Sequence, residues 1–260
     1  MNAKHKGAAM LWLVNLVGNA ALIAAVYFWL LLPDAHGWQV AFSGVLALVV
    51  IFCGLWLRAG SFAYFRVGEF RENAGVWRAF HHALGHIFAV LCWLIPFVVL
   101  EWCLFLLRRY APQFGVWFWQ KSGIHIGSPR ATYHAADCLL LLLMCIVLPI
   151  IWLPVASTVA AAGLKPGRMS RSLRLLRRPA YWLWYIVLLV IGAYIPYKLI
   201  RWIPGLSTLS KQAWSAGVRF ALAYLLLISA WVSLLLVVGS RAEKEDPEPI
   251  PSTLPETPLS

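Results

Sequence analysis

Apolar residues dominate most of this chain, and the places where polar residues interrupt them define its layout. Six stretches, about 9–32, 39–57, 86–107, 138–161, 181–203 and 216–239, stay apolar for roughly twenty residues each. At about 1.5 Å of rise per residue, that is the length a helix needs to cross about 30 Å of hydrocarbon. The pattern predicts an all-α, polytopic membrane protein with six transmembrane helices over residues 1–241. Between the stretches lie a short turn (PDAHGWQ), a basic linker at 58–85, a long loop at 108–137, a second basic linker at 162–180 and a short loop at 204–215. The acidic, proline-rich end, residues 242–260, is expected to be a disordered cytoplasmic tail, because it has too little apolar surface to bury.

Composition agrees with the pattern. Hydrophobic residues make up 62% of the 260 positions and charged ones 12%, against about 25% charged in a soluble domain. The formal charge of +12 does not imply nucleic acid as a partner, because Lys and Arg cluster beside the apolar runs. There they set topology and meet anionic lipid headgroups, the partner expected for the basic linkers. Cys53, Cys92, Cys103, Cys138 and Cys145 are odd in number and lack CxxC spacing, so neither a disulfide framework nor a metal site is expected. The first apolar run is too long for a signal-peptide core and is expected to be a retained first span.

Counting cations orients the spans. Fourteen Lys and Arg fall on the side of the N-terminus, both basic linkers and the tail, and eight on the other. Both termini are therefore expected in the cytoplasm of a bacterial-type inner membrane. The chain divides into three hairpins, and two echoes suggest that they are repeats. IPFVVLEW (95–102) returns as IPYKLIRW (195–202), and WLRAGS (56–61) returns as WLPVAS (152–157). Three hairpins bring mitochondrial carriers to mind, but the acidic–basic signature that follows their prolines is missing, and the comparison is rejected.

In the first echo, Arg201 stands where Glu101 stood. An ionisable residue inside a span costs several kcal/mol unless it meets a partner or water. Glu101 is thus a candidate for an ion pair with Arg201 or Lys198, for separate snorkelling to the headgroups, or for a solute or proton pathway. Asn15, Gly18 and Asn19 share one face of span 1 and are expected to pack helices through close approach and hydrogen bonds. His82 and His86 are four apart and come nearest to a metal-ligand pattern, but nothing in the sequence supplies a third ligand, so neither metal nor cofactor is expected. Asp137, near His125 and His134, is expected to cap span 4. The linkers, with Val76, Phe80, Ala83 and Ile87 on one face of the first and Arg168, Arg171, Arg174 and Arg178 spaced along the second, are expected to lie in the headgroup layer. RSLRLLRRP (171–179) resembles one basic motif of membrane phosphatases, but the accompanying catalytic-histidine motifs are absent. The leading functional expectation is a non-catalytic membrane component serving assembly, the envelope or lipid-linked regulation. A small transporter or channel with a polar site between spans 3 and 5 is the alternative. A membrane enzyme using the histidines comes third.

Overall fold

A computed structural model describes residues 3–32, 36–73, 75–121, 128–205 and 208–245. It is 92% helix, and the described residues contain no strand. Six helices are long and apolar enough to cross a membrane: Lys6–Leu30, Gly37–Arg66, Ile87–Arg109, Arg130–Ala162, Pro179–Arg201 and Leu209–Arg241, numbered here as spans 1 to 6. Large side chains such as Leu30, Leu48 and Phe88 are exposed along them, as suits a lipid-facing surface. The expected tail lies outside the described residues from 246 onward, and so does His125.

The helices pack in a regular order. Spans 2, 4 and 6 contact one another at the centre. Span 1 lies against spans 2 and 6, and span 3 against spans 2 and 4. Span 5 lies against span 6, and its approach to span 4 is looser. Each odd-numbered span therefore sits beside its own hairpin partner and one neighbouring even-numbered span.

Span boundaries depart from the sequence expectation most at span 2, which continues to Arg66 instead of ending near 57. Arg58 is accommodated because its guanidinium donates to Asn19 Oδ1 at 2.8 Å and lies 4.6 Å from the centroid of the Trp231 ring. The helix ends where Val67 turns extended. A short helix follows, and then an amphipathic one, Val76–Gly85. That second helix was expected on the headgroup layer. Its apolar face meets protein: Val76, Ala79, Phe80, His82 and Ala83 are buried, and the helix packs against spans 2 and 4. Trp56 Nε1 donates to the Phe80 carbonyl at 2.9 Å and pins it there. Gly60 permits the approach, since a Cβ at that position would lie 2.6 Å from the Phe80 ring.

The core is consequently lopsided. Its buried residues concentrate in 57–83, 150–162, 172–188 and 228–238, at the end that carries the two basic linkers. The opposite end is held by fewer contacts. There a helix at Ala111–Lys121 packs on the start of span 4, and Arg108 Nε meets Asp137 Oδ1 at 2.6 Å. That ion pair joins spans 3 and 4 and corrects the expected role of Asp137. Ser128, whose side chain accepts from the Ala131 N–H, is the N-cap of this helix.

Candidate functional site

Span 4 carries Pro149 and Pro154. Proline has no N–H, so each removes the bond that would reach the carbonyl four residues back. The carbonyls deprived in this way belong to Cys145 and Ile150. A π-helical stretch, Leu143–Val147, precedes Pro149. Such widened turns are common at functional sites. In span 5, Tyr181 and Tyr185 stand one turn apart. The Tyr181 hydroxyl donates to the Ile150 carbonyl at 3.0 Å, and the Tyr185 hydroxyl donates to the Cys145 carbonyl at 2.9 Å. Two tyrosines on one span thus supply the two donors that two prolines remove from the next. A carbonyl without a partner is costly in hydrocarbon, and this arrangement satisfies both.

Tyrosine is a long side chain, and bridging through it keeps the two backbones apart. The gap is a partly open cavity of about 280 Å³, lined by Phe97, Pro149, Trp152, Tyr185, Gly192 and Trp231 among others. Span 5 has its own π-helical stretch at this level, Val190–Tyr194, immediately before Pro196. Gly192 within it packs closely on span 6, where a Cβ would meet that of Ala230 at 2.6 Å. The cavity therefore lies between two spans with interrupted helical geometry, and its walls are almost wholly apolar. A second apolar cavity, about 380 Å³, lies between spans 1 and 2 under Trp77 and Phe80.

The site residues proposed from sequence are placed as follows. The structure does not bring Glu101 to Arg201 or Lys198. Span 3 sits between spans 2 and 4, without comparable packing on span 5. Arg201 hydrogen-bonds Tyr197, and Lys198 Nζ lies 5.5 Å from the centroid of the Tyr194 ring, so each cation is engaged within its own helix. The two prolines of the echo also differ in setting: Pro96 lies inside an unbroken α-helix, whereas Pro196 follows the π-helical stretch. Glu101 is half-buried one turn beyond Phe97, a cavity residue, and interacts electrostatically with Tyr185.

Asn15, Gly18 and Asn19 do face span 2. Asn15 Nδ2 donates to Ser61 Oγ at 2.9 Å, Asn19 accepts from Arg58, and Gly18 lies against Leu57. His82 and His86 are neighbours, with ring centroids 5.0 Å apart. His82 Nε2 lies 2.8 Å from the Ala161 carbonyl, which can only accept, so Nε2 carries the proton. Burial, with further contributions from His82 and Lys165, holds the His86 imidazole below its ordinary pKa. Among the described residues, no three His, Cys, Asp or Glu side chains are placed to hold a metal.

The tyrosine–proline bridge was not singled out in the sequence. Its signal was available in the spacing of Pro149 and Pro154 against Tyr181 and Tyr185, but nothing in the sequence said that these two faces meet. No family model matches the chain, and neither a curated protein nor a solved structure matches it.

Proposed function

We propose that this chain is a non-catalytic component of a bacterial-type inner membrane, with both termini in the cytoplasm and a lipid-linked role in assembly, envelope maintenance or regulation. The observation that carries this reading is the apolar cavity between spans 4 and 5, bordered by Tyr185, whose hydroxyl bonds a proline-freed carbonyl. A site for a polar solute calls for several converging polar groups, whereas these walls suit hydrocarbon. The excess of cations on the linker side supports the orientation. The regular packing of odd and even spans, together with the two sequence echoes, supports descent from a repeated hairpin.

The test is the lipid that accompanies the protein. Extracted in a mild detergent, the protein should carry anionic phospholipid enriched over the composition of its source membrane. Recovery at bulk composition would count against the lipid-linked role. One observation favours the transporter reading instead: the half-buried Glu101 stands beside the cavity wall near Tyr185. In that case Glu101→Gln should abolish solute uptake into proteoliposomes without lowering thermal stability.

A further inference from the structure

We propose that the cavity between spans 4 and 5 holds one acyl chain of an anionic glycerophospholipid from the leaflet on the basic-linker side, with its phosphate on Arg174 and Arg177. The inference rests on the lipid-linked reading and adds a site and a ligand class. Three observations carry it. First, apolar cavities of roughly 150 Å³ already stay dry and take up benzene-sized molecules. This one is larger, about 280 Å³, and its walls are almost wholly apolar. Second, its one lining hydroxyl, on Tyr185, is committed to the Cys145 carbonyl, and the indole nitrogens of its lining Trp152 and Trp231 are buried away from the cavity surface.

Third, the linker turn at the near end of span 5 is basic. The 3-10 turn Leu173–Arg177 packs against spans 4, 5 and 6, with Leu175 wholly buried and Arg174 and Arg177 exposed. Trp182 Nε1 ties this turn to span 5 by donating to the Leu176 carbonyl at 2.8 Å. Residues 162–180 contain six cations and no carboxylate, so an anionic headgroup is the matching charge. From Pro179, where span 5 begins, to Tyr185 at the cavity is about 9 Å of helix rise, a distance the glycerol and first methylenes of a lipid would cover. Both ends of an anionic phospholipid therefore find complementary surfaces about 9 Å apart along span 5.

Native mass spectrometry of the full chain, purified and supplied with phosphatidylglycerol or phosphatidylcholine of matched chains, tests the site. The wild type should retain one phosphatidylglycerol. Ala193→Phe, which fills the cavity from its exposed side, should lose it. The double variant Arg174→Gln, Arg177→Gln should retain lipid without preferring phosphatidylglycerol. As a check that needs no variant, phosphatidylglycerol carrying a photoactivatable diazirine in its acyl chain should label the wild type around 149–153 and 188–193. Equal retention by wild type and Ala193→Phe, or labelling spread evenly over all exposed spans, would overturn the site. If anionic lipid is enriched in both proteins, only the site fails. Absence of enrichment from the wild type removes the lipid-linked reading as well.

Discussion

Replacing Tyr181 or Tyr185 with phenylalanine removes one oxygen and keeps the ring, so the change isolates a hydrogen bond from packing. Each hydroxyl is the donor that a proline denies to span 4. Interhelical hydrogen bonds in membranes are worth about 0.6 kcal/mol on average and up to about 1.7. Tyr181 and Ile150 are both wholly buried, so no water can replace the lost hydroxyl. Tyr181→Phe should therefore cost about 1.5 kcal/mol, near the top of that range. Tyr185 borders the open cavity, and its loss should cost nearer 0.6 kcal/mol.

The decisive comparison is made with the facing proline removed. Pro154→Ala restores a backbone N–H able to bond the Ile150 carbonyl, so Tyr181→Phe should then cost less than half as much. That corresponds to a coupling of about 1 kcal/mol. The crossed pair, Tyr185→Phe with Pro154→Ala, should be additive. Equilibrium unfolding in mixed micelles, followed by circular dichroism, reads all of these values. If Tyr181→Phe keeps its full penalty in the Pro154→Ala background, the hydroxyl is not substituting for the missing N–H and the reasoning fails.

Three further outcomes are expected. His86 titrates lower in the folded protein than its ordinary 6.5, so the unfolded chain binds more protons between the two values. Stability should therefore fall as pH drops below about 6.5, and His86→Gln should flatten that slope in a thermal-shift titration. In a cysteine-free background, His36→Cys and Gly205→Cys should label from outside, and Glu69→Cys and Ser170→Cys from the cytoplasm. External labelling at 170 would reverse the orientation. A double-mutant cycle on Arg108 and Asp137 should show coupling and one on Glu101 and Arg201 should not, because only the first pair is in contact.

The spans were legible because hydrocarbon demands long apolar helices, and little else can satisfy the backbone there. The face of Asn15, Gly18 and Asn19 was legible for a related reason: helical spacing alone groups those residues. What could not be read was which faces meet. Glu101 and Arg201 looked paired through a sequence echo, yet Arg201 bonds Tyr197 within its own helix while Glu101 lies near Tyr185. The first linker looked like a surface segment because its amphipathic pattern is the same whether the apolar face meets lipid or protein. Trp56 and Gly60, which bring it inward, are unremarkable in a tryptophan-rich sequence. The role of Asp137 turned on Arg108, a residue 29 positions away.

Span 1 finds its last partners late. Trp12 donates to Ser229 across 217 residues of chain, and the Leu16 carbonyl accepts from Tyr224. At about 5–20 residues per second, synthesis of the intervening chain takes roughly 10–40 s. Throughout that interval the first span lacks these two contacts, and its seat beside span 6 does not yet exist. The nascent chain thus presents a half-finished surface to whatever handles it during insertion, and a ribosome stalled before span 6 would leave that surface permanently open. The final hairpin completes the packing of the first helix as well as its own.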